Sequence, residues 1–547
     1  MYTYIILKVV KKLLNVNILL RLGCNERNVV KMDNLKSILL GEIPEFRELG
    51  HKFIKKEVTS MDFKKVSGGM GVYAHRGGAE FMVRLRIPSG IITKEDLKTV
   101  YNFAFKYNLN SVHLTTRQSI QIHSLSIDQI CDIIEEGLKK DIYTRGAGGN
   151  FPRNVAMSPL AGVDPEEEFD VSPYANEVGK HILKKIHLYK LPRKMKIGFS
   201  NSEEDEAHCT ATDLGFLAVK KDGKEYFRLF LGGGIGRNPA LSVDYDELVE
   251  PKDVLYHVEA ITNLFINEGD YENKAKARIR FIVQRMGKDE FIKCYKKYLQ
   301  EAKDNNNLDV NPVTRYDRKP GIKTIVKNPR LFSQKQKGLY SVYFHPIGGN
   351  LKLDTMKRIL DKLDKINGSE IRLTMTEGLY IRNLDGREAK DLIKLTKNLG
   401  GDTKLEQSVC CIGVPTCQIG VLNSQSTLED TIKLFRDNNF TKDILPRVRI
   451  SGCPNSCSVH EIGEIGLTGK MKKVEGQSRN VFELHMDGSH EIDKARLGIN
   501  YGDLPQEKVP EFLYELAQLV DISDETFYKW IETSQEKFKE LVEKYIV

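Results

Sequence analysis

Five cysteines crowd into residues 410–457, and four of them form two short-spaced pairs. Cys411 and Cys417 have five residues between them, Cys453 and Cys457 have three, and 35 residues separate the pairs. Four thiolates from two loops is the number that a tetrahedral metal ion or an iron–sulfur cubane requires. Structural zinc usually takes more closely spaced pairs, so the five-residue gap suits it poorly, and disulfides are rare inside a reducing cell. The loops are rich in Gly, Pro, Ser and Asn, which lets backbone N–H groups turn toward sulfur and raise a cluster's reduction potential. The set favours an iron–sulfur cluster over zinc or unliganded thiols. Cys410 competes with Cys411, but it would leave six residues before Cys417, a less familiar spacing. Cys411, Cys417, Cys453 and Cys457 are therefore the expected ligands.

A second chemical signal is cationic. Alternation along Phe81–Ile87 places Arg84 and Arg86 opposite the face of Phe81, Val83, Leu85 and Ile87. Along Thr115–His123 the same period groups Arg117, Gln121 and His123 against Ile120 and Ile122. In Arg193-Lys194-Met195-Lys196 an extended chain would point both lysines one way. Each cation alone reads as solvated surface charge; the organisation of the chain changes that weighing.

The chain contains itself twice. Residues 81–125 and 339–384 share a strand, a Pro/Gly turn, a helix-period stretch and a second strand, with Pro88 matching Pro346, Leu114-Thr115 matching Leu373-Thr374, and Ile122 matching Ile381. Leu191-Pro192-Arg193 is then echoed by Leu445-Pro446-Arg447. That echo aligns Lys194 and Lys196 with Val448 and Ile450, and Cys453 and Cys457 with Phe199 and Glu203. One half has kept thiolates and the other cations, as a site shared between halves would require. The expected fold is an α+β tandem pseudo-twofold repeat with its chemistry at the junction of the halves. Each half has a ferredoxin-like α+β module (71–140 and 333–400) followed by a larger mixed α/β module (141–310 and 401–547). Residues 32–70 read as a wrapping arm, 311–332 as a linker, and 505–547 as closing helices.

Composition narrows the class. The 547 residues are 40% hydrophobic and 29% charged, and 83 Lys and Arg face 75 Asp and Glu. Six cations against Glu26 alone fall within residues 1–31, an extension that precedes a plausible start at Met32. The remainder is too nearly neutral for a nucleic-acid binder. No apolar run reaches the roughly 18 residues of a membrane span, and no signal core forms, so a cytoplasmic location is expected. Leu231-Gly232-Gly233-Gly234-Ile235-Gly236 is not a dinucleotide fingerprint, because Pro239 stands where the third Gly belongs. With neither that fingerprint nor a phosphate-binding loop, electrons must come from a separate carrier.

The cysteine set on a tandem repeat, with FMVRLRIPSG, LTTRQSIQIH, PRNVAMSPLAG and LPRKMK, resembles the siroheme-dependent nitrite and sulfite reductases over roughly residues 45–545. The resemblance implies a [4Fe–4S] cluster on the four cysteines, with Cys457 also ligating siroheme iron. It implies that Arg84, Arg153, Lys194 and Lys196 line an anion pocket, while Arg117, Gln121, His123, Arg193 and Gly233 contact siroheme. Siroheme carries eight carboxylates and the substrate is an anion, so burying them demands cations. Ferredoxin is the donor implied for single-chain forms, and basic stretches Arg315–Arg330 and Lys470–Lys473 are candidates to steer that acidic protein. Lys196 matches the family's sulfite reducers, where plant-type nitrite reductases tend to have Asn; sulfite is therefore the favoured substrate and nitrite the alternative. A monomer suffices, since the repeat is fused.

Overall fold

The structure, a computed structural model, describes residues 32–312 and 319–547. The extension 1–31 lies outside the described residues, as do Arg315 and Arg318 of the first candidate steering stretch.

In the first half, strands Val72–Ala74, Phe81–Leu85, Ile120–Leu125 and Ser111–Leu114 form a sheet in that spatial order, with helices Lys94–Lys106 and Ile127–Lys139 completing the module. The second module repeats the pattern with Leu331–Ser333, Leu339–Phe344, Leu379–Asp385 and Glu370–Leu373, and with helices Leu353–Leu363 and Gly386–Leu395. Reciprocal capping boxes, Ser126 with Gln129 and Asp385 with Glu388, start the second helix of each module at the same place. The alternation expected through Thr115–His123 begins only at Ile120. Residues Thr115–Ser119 form a tight turn closed by Thr115 N to Ser119 O at 3.0 Å, with Gln118 at φ 51°. Arg117 therefore sits at a hairpin tip instead of on the strand face of Gln121 and His123.

Neither module is self-contained. The fifth strand of the first sheet is Asn350–Lys352, borrowed from the second half and antiparallel to Ser111–Leu114. The fifth strand of the second is Ile91–Ile92, lent by the first half to Glu370–Leu373. Each borrowed strand follows a one-turn 3-10 helix, Pro88–Gly90 or Ile347–Gly349, whose middle residue is left-handed. One hydrophobic core accordingly runs from Leu35 through both modules to Leu392, and a second is built from Leu405 to Val542.

The larger modules also match. Strands Ala156–Met157, Ile197–Ser200 and Leu214–Lys221 pair in parallel, and Lys224–Leu231 and Val243–Asp244 follow antiparallel. Val409–Cys410, Val448–Ser451, Ile465–Val474, Gln477–Met486 and Ile499–Pro505 do the same. Ile197 lies opposite Leu214 as Val448 lies opposite Ile465, and left-handed His208 matches left-handed Val459. This register pairs Lys194 with Leu445, Lys196 with Arg447, Cys453 with Ser202 and Cys457 with Glu206. The register inferred from the Leu-Pro-Arg echo is corrected by three residues, because the second copy enters its strand that much sooner after the echo. The division of chemistry is correspondingly less clean: the back half keeps a cation, Arg447, where the front has Lys196.

Residues 32–70 form helices Met32–Gly41, Ile43–Ile54 and Ser60–Ser67. Arg47 anchors them to helix Ile127–Lys139 through Asp128 at 2.7 Å and Asp132 at 2.9 Å. Helices Val509–Ser523, Phe527–Thr533 and Gln535–Tyr545 close the back half over buried Trp530.

Candidate active site

Val409–Cys410 and Val448–Ser451 are adjacent parallel strands, so the loops leaving them start from the same sheet edge, the place where open α/β sheets put their ligands. Cys411 and Cys417 leave the first strand, Cys453 and Cys457 the second. Gly452 N donates to Cys411 Sγ at 3.1 Å, Asn455 Nδ2 donates to Cys453 Sγ at 3.3 Å, and Ser424 Oγ lies 3.3 Å from Cys411 Sγ. Burial, then the neighbouring Cys457, pushes the Cys411 thiol up to about 12; Cys417 is raised by burial and by Cys453, and Cys457, open to solvent on one side and ringed by protein on the others, is raised by that enclosure and by Cys453. A bound metal ion would draw the protons from such thiols. Cys410 instead ends a strand, fully buried, with Sγ directed at the Cys411 carbonyl at 3.6 Å. Among the described residues no three His, Cys, Asp or Glu side chains converge on a single ion. The front half carries the outline of the same site: Asn201 N donates to Ser158 Oγ at 3.2 Å, matching Gly452 and Cys411.

Cys457 is the one exposed thiol of the four, and Lys194 and Arg84 act on its charge. Around them the cations gather. Lys194 and Lys196 flank buried Met195, whose backbone bridges to Pro152. Burial, then Arg117 and Arg278, lowers Lys196 to about 7; Lys194 is held well below its usual value by burial and by Lys196. Asp213 opposes them, but it already pairs with Arg278 at 2.7 Å and accepts from Lys196 N at 2.8 Å. Arg84 Nη1 and Arg153 Nη1 both donate to the Ala147 carbonyl, at 3.0 and 2.7 Å. Arg117 donates to the carbonyls of Asn154 and Ile197 at 2.7 and 2.9 Å. Burial brings Arg117 and Arg153 each to about 10, and the buried Nε of each lacks an acceptor.

Gln121 and His123 do share a strand face, 3.2 Å apart. With the amide nitrogen of Gln121 turned to His123, its oxygen accepts from Arg84 Nε and Nη2 at 3.0 and 2.5 Å. Arg193 is directed at Asn150 Oδ1, 3.3 Å away. Gly233 is small for a reason internal to the protein: a Cβ there would strike Ser242 Oγ and approach Thr212 O to 2.9 Å, while Gly236 is the glycine that faces Pro454 and Asn455. Three residues without sequence prominence also belong here. Tyr73 accepts from Gly149 N at 2.9 Å and, against its burial, is drawn down by Arg153 and Arg84. His75 lies 3.2 Å from His123, and Thr116 Oγ1 donates to the Cys457 carbonyl at 2.7 Å. Tyr73 sits in a three-residue strand and Thr116 in a turn, where no periodicity singles them out.

The steering stretches take a different place. Lys470 pairs with Glu483 and Asp503, Lys472 with Asp503, and Lys319 with Glu388; Arg330 is buried against Thr396 and Ile393. Those cations already have acidic or carbonyl partners.

Cysteine loops leaving two adjacent strands, beside cations with unmatched donors, suit a redox cluster next to a polycarboxylate group. The class this defines is a cofactor-bearing oxidoreductase. The model of the nitrite and sulphite reductase 4Fe-4S domain matches residues 148–303, and that of the nitrite/sulfite reductase ferredoxin-like half domain matches 73–140 and 332–399. The chain belongs to the nitrite and sulfite reductase family, with siroheme and a [4Fe–4S] cluster as its cofactors. It is 25% identical to the assimilatory ferredoxin-dependent nitrite reductase of Haloferax mediterranei, over 92% of this chain and 91% of that one. It is 26% identical to sulfite reductase [ferredoxin] 1 of Mycolicibacterium paratuberculosis, over 75% and 73%. The solved NirA protein of Mycobacterium tuberculosis has the same fold, with a TM-score of 0.75 at 23% identity over 88% of this chain and 92% of that one. As an oxidoreductase of this family, the chain reduces nitrite or sulfite.

Proposed function

We propose that the chain reduces sulfite to sulfide with six electrons from ferredoxin, and that Cys411, Cys417, Cys453 and Cys457 hold the cluster. The observation that carries the choice of sulfite is Lys196. A second ammonium beside Lys194, with Arg84 and Arg153 near and Asp213 already paired to Arg278, gives more positive charge than a monovalent anion needs. Bound siroheme supplies the iron at which the anion is reduced. Arg84, Arg153, Lys194 and Lys196 bind and orient that anion, the arginines as fixed forked donors. A lysine brought to about 7 by its burial is suited to giving protons as oxygens leave as water. Arg117, Gln121, His123 and Arg193 are assigned to siroheme carboxylates.

The ferredoxin reading is supported by the edge of the cysteine loop. Cys417 is half-buried beside Ile419, which is 51% exposed, and Lys64 acts on its charge. Exposed Arg76 donates to Gly420 O at 2.6 Å. An acidic carrier docked there would bring its own metal close to the cluster.

The test is a comparison of kcat/KM for sulfite and nitrite with reduced methyl viologen as donor. Sulfite is expected to be preferred, and Lys196→Asn to lower sulfite kcat/KM by about a hundredfold, the usual effect of removing one charge-stabilising donor, while nitrite falls less. Equal loss on both substrates would remove Lys196 as the discriminator, and a wild type that prefers nitrite would reverse the choice.

A further inference from the structure

The front half, which carries none of the four paired cysteines, reaches the turn around Cys457 directly through Thr116 and, by way of Glu461, through Gly236. On its C-terminal side, Thr116 Oγ1 donates to its carbonyl at 2.7 Å. On its N-terminal side stands Ser456, buried and left-handed at φ 51°. A residue with a Cβ takes that conformation at a cost, so something must hold it. Ser456 Oγ donates to Glu461 Oε2, and the other carboxylate oxygen of Glu461 accepts from Gly236 N at 2.8 Å, in the glycine loop of the front half. Glu461 is itself 5% exposed. Gly236 takes φ 110°, a conformation that side-chain-bearing residues rarely adopt.

The front half holds the mirror image with polarity reversed. Asp205, left-handed at φ 49°, stands where Ser456 does, and Thr210 stands where Glu461 does. There the acid accepts from the hydroxyl at 2.9 Å, and Thr210 reaches across to His490 O at 3.0 Å. Both turns are therefore tied across the junction. In the back half, however, the clamped residue is the immediate neighbour of Cys457, whose carbonyl accepts from front-half Thr116, while the Glu461 that holds Ser456 is itself held by front-half Gly236.

We infer that Glu461, together with Thr116, is a positioning residue that aims the Cys457 thiolate from the cluster toward the cationic pocket. It neither touches substrate nor ligates metal; it couples the two halves by setting where the shared sulfur points. Releasing it frees Ser456 to relax out of the left-handed region and swings Cys457 with it. The inference rests on the assignment of Cys457 as a ligand.

The experiment uses reconstituted full-length Glu461→Ala, Glu461→Gln and Ser456→Ala, measured for iron and acid-labile sulfide, siroheme absorption, the EPR spectrum of the reduced cluster, and turnover. Wild-type protein without iron and sulfide would overturn the ligand assignment itself, a separate failure. With cofactors present, Glu461→Ala is expected to shift the EPR and siroheme spectra and to lower kcat about ten- to hundredfold, the range for residues that orient a metal's ligands, with KM for the anion little changed. Glu461→Gln is expected to stay near wild type, because the amide oxygen can accept from Gly236 N while Ser456 Oγ accepts from the amide nitrogen. A Glu461→Ala protein with wild-type spectra overturns the inference. So does a Glu461→Gln protein as impaired as Glu461→Ala, since charge and not the paired hydrogen bonds would then matter. If Glu461→Ala does not fold, Ser456→Ala decides: it removes one bond of the clamp, and unaltered spectra and kcat overturn the inference.

Discussion

The titration of Lys196 follows from where it sits. Burial with Arg117 and Arg278 lowers it to about 7 from a free value of 10.5. Between roughly pH 7 and 10 the unfolded chain thus binds more protons than the folded one, and stability rises with pH across that window. Cofactor-free protein is expected to need more urea at pH 9 than at pH 7, and Lys196→Met to flatten the difference. A carboxylate-bearing ligand in the pocket reverses the sign locally by restoring the proton. The same neighbourhood logic separates the adjacent cysteines. Cys411→Ser should cost the cluster outright, whereas Cys410→Ser, which changes a sulfur directed at a carbonyl, should leave iron and sulfide contents unchanged.

At the scale of elements, the borrowed strands are the sensitive joints. Leu351 is 1% exposed and pairs with Val112 across the junction. Leu351→Ala is expected to cost about 2–5 kcal/mol, read as a fall in the denaturation midpoint of the whole molecule, since one core spans both modules. The strand–helix–strand pattern of each module was legible because alternation and capping residues are local signals. The exchange was not, because two- and three-residue strands such as Ile91–Ile92 have no periodicity to read. Pairing of Lys196 with Arg447 was equally hidden: a three-residue difference in loop length is invisible until strands fix the register. The four cysteines stood out by type and spacing, Arg84 and Lys194 by strand alternation and the repeat, and Arg153 only through the resemblance to the family. Tyr73, Thr116, Arg278 and Glu461 did not, since each acts through a contact between segments far apart in the chain.

For the whole molecule, the two copies are held together by more than the segment that joins them. Fragments divided within residues 313–318 and co-expressed should purify as one complex that takes up iron, while either fragment alone should aggregate, with two strand edges and half a core uncovered. Recovery of a soluble, folded single half would contradict this. Arg382, buried and donating to Pro159 O and Ala161 O at 2.8 and 2.9 Å, is one of the side chains such a complex must re-form.

The traded strands also bear on how such an enzyme could arise. Identical subunits swapping an edge would be bound to carry two identical clefts, each needing thiolates and cations from the same positions. Once both copies lie on one polypeptide, a mutation strikes a single cleft. One can then surrender its sulfurs, as Ser158 and Ser202 suggest, while the other is refined, and the interlock keeps the retired partner in place as scaffold.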